Sequence, residues 1–234
     1  MEKLIYLLGS EMEPNALREA LVGPVAERLL ATDLLELEVY VSDQRGPDAP
    51  PVESQMDPLG LMSASISVWL DSVDGRTPIE EALRGVSTRL AGYSVAESTP
   101  REYAKRDWPD GVTSPTVSIG TALGPKPGLS DDEFFACWHG SHTPLSLRIH
   151  PLTRYVRNTI ARPVTEDAPP YRGIVFESVA SLEILTDRDA FYGSEEGQRE
   201  AVADLLRFVN FKTMGSVTMS ETILRAAPWR SPLA

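Results

Sequence analysis

Apolar and polar residues along this chain alternate in two rhythms, one of period two and one of helical period. Leu34–Asp43 sets Leu35, Leu37, Val39 and Val41 against Glu36 and Glu38, the spacing of a strand. Gly60–Ser72 alternates again, with Met62, Ala64, Ile66, Val68 and Leu70 on one face and Leu61, Ser63, Ser65, Ser67 and Trp69 on the other. Glu2–Ser10 and Gly92–Ala104 also read as strands. Pro14–Thr32 instead carries Leu17, Leu21, Val25, Leu29 and Leu30 on a helical stripe opened by Pro14. Thr77–Ala91 starts with a capping Thr, a first-turn Pro78 and early acids, which predict a second helix. The Pro-rich stretch Gln44–Pro58 reads as a loop. The predicted order is β-α-β-β-α-β.

That order then recurs. Thr116–Gly124 predicts a strand, and Ser130–His150 a helix whose Ser130 and Glu133 form a capping box. Strands follow at Arg154–Val164 and Gly173–Ile184, separated by a loop in the same relative place as the first one. Glu195–Asn210 predicts a helix and Met214–Leu224 a closing strand. The break falls near Arg106–Ser114, which divides the chain into residues 1–110 and 111–234. Each β-α-β-β-α-β unit is the ferredoxin-like split βαβ motif, so the expected class is α+β. Two helices cover one face of such a four-stranded antiparallel sheet, and the other face stays bare. Two bare apolar faces in one chain can pack together. At ~500 Å² per face and ~25 cal/mol/Å², this contributes on the order of ten kcal/mol before ordering costs. An α+β barrel within one chain is therefore expected, with a homodimer joined through the bare faces as the competing arrangement.

Composition narrows the partners. A formal net charge of -12 with no Lys/Arg cluster to offset it speaks against nucleic acid. No apolar run approaches the ~18 residues of a membrane span, and the N-terminal run is too short for a signal peptide. The single Cys137 precludes an internal disulfide and fits a cytoplasmic protein; in a helix beside Trp138 it reads as an inert buried thiol. The sequence has no CxxC, HExxH, EF-hand loop, GxGxxG, GxxxxGK[ST] or GxSxG, so neither a metal nor a cofactor is expected.

All three histidines, His139, His142 and His150, lie within a dozen positions. Trp138 and His142, four apart, share one helix face, and Pro144 breaks the helix beside them. A ring at such a break can face a cavity between helix and sheet, and an ordinary pKa near ~6.5 suits acid–base work. The plainer alternative is a His142 that bonds a free carbonyl and fixes the bend. Trp138 reads as a core anchor or pocket wall. His139 points away from Trp138, and His150, before Pro151, can cap the helix end. Tyr155 and Asn158 fall on opposite strand faces; Asn158, Arg154 and Val156 share one that mixes polar with apolar, as a pocket floor needs. Glu177, between Val175 and Val179 in a strand, is either an interface charge or a base of raised pKa.

The second half also resembles the EthD family of dimeric α+β barrels, over about residues 112 to 227. LSDDEFFACWHGSHTPL carries that family's helix pattern at Leu129, Ser130, Phe134 or Phe135, Trp138, His142, Pro144 and Leu145. Tyr155, Val156 and Asn158 fit its second strand. Asp204 and Phe208 fit an Asp-Glu-x-x-Phe-x-Asp stretch in which Leu205 and Asn210 replace the other acids. The first half, with no histidine, looks like a degenerate copy. The resemblance implies a pocket for a small hydrophobic organic molecule. Together with the residue patterns above, it points to His142, Tyr155 and Asn158 as catalytic and to Trp138, Phe135, His139, Val156 and Glu177 as substrate-binding. The expected function is cofactor-independent acid–base chemistry of the cyclase, dehydratase, isomerase or lyase type on a polyketide or aromatic catabolite. A cofactor-free or haem-dependent monooxygenase and a non-catalytic ligand-binding barrel remain open beside it.

Overall fold

The computed structural model describes residues 1–43 and 55–229, so most of the first Pro-rich loop lies outside the described residues. The first half contributes β1 (Glu2–Gly9), α1 (Pro14–Ala20), α2 (Ala26–Leu30), β2 (Glu36–Val41), β3 (Ala64–Leu70), α3 (Thr77–Arg84) and β4 (Arg89–Arg101). The second contributes β5 (Val117–Leu123), α4 (Asp131–Cys137), α5 (Thr143–Ile149), β6 (Leu152–Pro163), β7 (Gly173–Val179), α6 (Leu182–Thr186), α7 (Arg188–Tyr192), α8 (Glu195–Phe208) and β8 (Gly215–Arg225). All eight strands close into one antiparallel barrel in the order β1-β3-β2-β8-β5-β7-β6-β4. Within each half the order is fourth, first, third, second strand. Two seams join the halves, β2 with β8 and β4 with β6.

Period-two alternation gives every strand an inner and an outer face. Inward residues Ile5, Leu7, Tyr40, Ala91, Tyr93, Val95, Ala122, Ile160, Ile174, Phe176, Val217 and Met219 fill the barrel. Outward residues of β1, β2 and β3 meet Leu17, Leu21, Val25, Leu29, Ile79 and Leu83 of the first-half helices. Outward Leu123, Tyr155, Val175 and Val179 meet Phe134, Trp138 and Phe208 of the second-half helices. The bare faces are thus shielded inside one chain.

The interior is also charged. Arg154 on β6 ion-pairs with Glu38 on β2 at 2.8 Å and with Glu221 on β8, and all three are buried. Tyr40 Oη donates to Glu221 at 2.9 Å and stacks on Phe176 with ring centroids 3.9 Å apart. Tyr103 Oη donates to the other Glu221 oxygen at 2.6 Å. Lys3 pairs with Glu97 in the same interior. The bonds of Arg154, Tyr40 and Tyr103 tie residues of both halves across the barrel, so they fix which strands meet at the seams.

Three sequence expectations shift. The helix expected over Thr77–Ala91 stops at Arg84, because Leu90 and Ala91 are needed on opposite faces of β4, Ala91 inside the barrel and Leu90 against the outer core. The strand expected to Ile184 stops at Val179, and α6 and α7 follow instead. The first helix of the second half widens midway into a π turn at Trp138–His142, whereas that of the first half breaks at a kink within Leu21–Val25, where Gly23 leaves helical geometry (φ -96°, ψ -107°). A proline, Pro24 or Pro144, lacks the N–H that regular helix needs there.

Removing Arg154 leaves two buried carboxylates without their cation. Arg154→Met is expected to lose about 3–5 kcal/mol in urea unfolding, and adding Glu38→Gln and Glu221→Gln is expected to recover part of that loss.

Candidate functional site

The second-half helix begins at Ser130, whose hydroxyl accepts from the Glu133 N–H at 3.3 Å while Glu133 accepts from the Ser130 N–H at 2.9 Å. This box fixes the start of α4 and the phase of Phe134 and Trp138. The wide turn closes with the Thr143 N–H on the Trp138 carbonyl, which also accepts from the Thr143 hydroxyl at 3.0 Å. Trp138 lies flat over the start of β7, where a Cβ on Gly173 would stand 2.3 Å from the indole. Only glycine admits the ring there. His142, one wide turn later, faces the same sheet.

Between these helices and the outer face of β5, β6 and β7 lies a cavity of about 210 Å³. Trp138, Phe191, Tyr192, Phe208 and Phe211 give it aromatic walls; His142, Ser146, His150, Tyr155 and Glu177 supply its polar groups. His142 Nδ1 lies 3.0 Å from Asp204 Oδ2 on α8. Asp204 is nearly buried and also accepts from Ser141 at 3.0 Å and Arg207 at 2.8 Å. With Nδ1–H donating to that carboxylate, the lone pair sits on Nε2, 3.4 Å from Ser146 Oγ. Burial pulls the His142 pKa below its usual value, and Asp204 opposes the shift without overcoming it. The ring is therefore neutral at neutral pH, with Asp204 placed to stabilise a proton gained at Nε2.

Glu177 has the opposite character. Its Oε1 is buried with no hydrogen-bond partner, although the side chain is partly accessible from the cavity. Burial pushes its pKa up to about 7, and a hydrogen bond from Ser146 offsets this only in part. Tyr155, beneath it, shares a hydrogen bond with Thr143 at 3.2 Å and is held protonated by burial. His150 accepts no part in that network; its Nδ1 meets the Phe191 carbonyl at 3.0 Å, its ring stacks on Phe191, and burial lowers its pKa to about 4.

Of the residues singled out in the sequence, His142, Tyr155, Trp138 and Glu177 come together here. Asn158 and Val156 do not. Both are buried within the barrel on the other side of the sheet, and Asn158 Nδ2 donates to the Ile174 carbonyl at 3.2 Å. The face they share with Arg154 is filled interior, and it forms no pocket floor. Phe135 and His139 lie beside Trp138 outside the cavity lining, with His139 4.7 Å from the indole and its pKa lowered to about 4 by burial and Arg157. Cys137 is a free, half-buried thiol. Sequence reasoning missed Ser146 and the partnership of Asp204 with His142. Ser146 is a plain helix serine, and 62 residues separate the other two.

Residues 126–212 match the EthD domain. That match begins before α4 and ends after α8, so it holds the whole helical side of the cavity. No curated protein matches the sequence. Among solved structures, an anthrone oxidase-like protein is 11% identical, with 99% of this chain and 96% of that one covered and a TM-score of 0.59. A structure described as a candidate monooxygenase of Fusobacterium nucleatum is 10% identical over 96% of this chain and 92% of its own, with a TM-score of 0.53. A second, from Lactobacillus acidophilus, is 12% identical over 96% and 97%, with a TM-score of 0.50. At these identities the likeness shows the fold.

Other features have less to offer chemically. A groove of about 760 Å³ past α3 is wider, but it opens to solvent, and its Arg76 and Arg84 are tied to Glu80 at 3.1 and 2.9 Å. Among the described residues no three His, Cys, Asp or Glu side chains converge as a metal site, and no helix is long and apolar enough to cross a membrane. A haem does not fit the cavity. Its 210 Å³ is below the ~300 Å³ at which pockets for drug-sized ligands begin.

The two raised and lowered groups titrate with opposite sign. Glu177, ordinarily near 4.5, is raised to about 7 by folding, so its contribution to stability is full below about 4.5 and is lost as pH rises through 7. His150, lowered to about 4, contributes fully above about 6.5 and loses its contribution as pH falls towards 4. Glu177→Gln keeps the neutral form at every pH. Its stability relative to wild type, measured by urea unfolding, is expected to rise by on the order of 2–3 kcal/mol between pH 4.5 and pH 8.

Proposed function

We propose that the chain is a cofactor-independent acid–base enzyme acting on a small, apolar, oxygenated organic molecule. The observation that carries this reading is a neutral imidazole whose Nδ1 is bonded to a nearly buried carboxylate and whose Nε2 turns toward an aromatic cavity. The cavity's 210 Å³ compares with the ~150 Å³ of an apolar cavity that takes benzene, so it suits one substituted ring or a short chain. His142 Nε2 removes a proton from carbon beside a carbonyl or from a phenolic oxygen, and Asp204 stabilises the imidazolium. Tyr155, still protonated, lines the cavity, and its hydroxyl turns from Thr143 to donate to an enolate or phenolate oxygen. Returning the proton at another atom gives isomerisation; losing a leaving group gives dehydration or lyase-type cleavage; attack by the carbanion on a second carbonyl gives cyclisation. Asn158, walled off inside the barrel, has no part in this scheme.

A second reading keeps the deprotonation and adds dioxygen. It draws support from the similar folds described as anthrone oxidase-like and as monooxygenases. An electron-rich carbanion can react with oxygen without a resident cofactor, and oxygen uptake coupled to substrate loss separates this outcome from the first. The proposal extends to the chain's organisation. Units 1–110 and 111–234 are two copies of one ancestor with a single site in the second, and the lone free Cys137 fits a cytoplasmic setting.

The test is a panel of single-ring phenols, enolisable ketones and lactones followed by mass spectrometry. On the substrate so found, His142→Ala is expected to lower kcat/KM by at least ~100-fold, with Asp204→Asn lowering kcat more than it changes KM. Unchanged turnover in His142→Ala contradicts the assignment, and tight binding with no product supports a non-catalytic ligand-binding barrel instead.

A further inference from the structure

The two halves each place a first helix, interrupted midway, over the same sheet order. In each, a first segment of 7 residues leads into an interruption of 5, a kink at Gly23 in the first half and a π turn in the second, and counting from it pairs Leu21, Val25 and Leu29 with Trp138, His142 and Ser146. Gly23 and Gly140 coincide in this alignment. The strand pairs agree too: Leu4 opposes Val68 as Ile119 opposes Glu177. In the first half Val25, Leu29 and Val68 are buried members of one packed apolar core. In the second half the same three places hold an imidazole, a hydroxyl and a carboxyl, beside a cavity. A single polar replacement in a core is costly; three that touch one another relieve each other's desolvation.

Their contacts form a line. Asp204 holds His142 Nδ1, His142 Nε2 faces the Ser146 hydroxyl at 3.4 Å, and buried Ser146 lines the same cavity as Glu177, where its hydroxyl acts to lower the Glu177 pKa. The far Glu177 oxygen, Oε1, has no partner. A serine has one hydrogen to give, so it cannot satisfy Nε2 and the Glu177 carboxylate together.

We infer that Glu177 is a second catalytic residue of this site, coupled to His142 through the Ser146 hydroxyl as a proton relay. This rests on the acid–base reading above. When Glu177 is protonated, it donates to Ser146 Oγ, and Ser146 donates to Nε2. When Glu177 is ionised, the hydroxyl turns to the carboxylate and frees Nε2 as a base. A proton taken from the ligand at Glu177 Oε1 is balanced by one passed from the other carboxyl oxygen to Ser146 Oγ, while the hydroxyl's own proton moves to Nε2. The resulting imidazolium faces Asp204. The reverse sequence delivers a proton from Oε1 to another atom of the ligand, so His142 stores the proton between its removal and its return. The relay suits substrates whose reaction takes a proton from one atom and places it on another, such as an enolisable ketone or a ring-hydroxylated aromatic. The titratable groups packed around Glu177 are Tyr155 from β6, His142 and His150 from the helix above, and Tyr192 from α7. Burial dominates the Glu177 shift among them.

The test needs no substrate. The infrared carbonyl band of protonated carboxyls is followed against pH in wild type and Glu177→Gln, alongside the ring ¹⁵N signals of His142 in wild type and Ser146→Ala. The expected result is a carboxyl that loses its proton near pH 7, is absent in Glu177→Gln, and produces an inflection in the His142 signals at the same pH. Ser146→Ala is expected to abolish that inflection and to raise the pH at which the carboxyl ionises, because its hydrogen bond is gone. Should Glu177→Gln fail to fold, Glu177→Met assigns the band. A Glu177 that titrates in the ordinary carboxylate range, or a His142 inflection that survives Ser146→Ala, overturns the relay. Either result leaves the His142 assignment intact, since loss of turnover in His142→Ala tests that separately.

Discussion

The constraint that organises this molecule is the closure of its barrel on its own side chains. Tyr40 stacked on Phe176, and Arg154 clasped by Glu38 and Glu221, occupy the interior from both halves. A barrel of eight strands has an interior just wide enough for side chains to fill. Once filled in this way, the inner face has no room for a ligand, and chemistry moves to the outer face, under the helices. The first half packs that layer solid. The second leaves a gap there and lines it with titratable groups.

Two local devices make the gap. The π turn at Trp138–His142 carries an indole and an imidazole, four residues apart, that both line the cavity over the sheet. Gly173 then lets the indole rest on the strand as a wall. Aromatic surfaces exclude water, and exclusion is what lowers the affinity of His142 for a proton and raises that of Glu177. The two shifts carry opposite sign for one reason: burial disfavours whichever form is charged. A neutral base and a carboxyl of raised pKa are thereby set on one cavity, with Asp204 ready for the charge that forms. Pairs of titratable groups moved by their surroundings are a signature of acid–base sites.

The architecture was largely written in the alternation of residues such as Leu37, Val39 and Val41, and in its repetition after Ser114. Faces with apolar residues on both sides, as in Leu61–Leu70, point directly to a sheet buried on both sides. The site was legible only in part. His142 and Trp138 announce themselves by rarity and spacing, but period two says only that Tyr155 and Asn158 part company, not which of them meets the helices. Both strand faces of β6 mix polar with apolar residues, so nothing local decides it. Asp204 joins His142 through the docking of α8, a contact that no helix pattern encodes. Ser146 becomes informative only beside Leu29, once the two helices are aligned by residue count from the interruption that each carries.

The account stands on one cavity beside one imidazole, outside a closed barrel. Crystals soaked with phenol, a probe of the size the cavity admits, test this directly. The structure predicts ring density between Trp138 and Phe208, with the hydroxyl oxygen within hydrogen-bonding distance of His142 Nε2 or Glu177 Oε1. Density inside the barrel beside Arg154, or an empty cavity in crystals where phenol occupies another pocket, contradicts it.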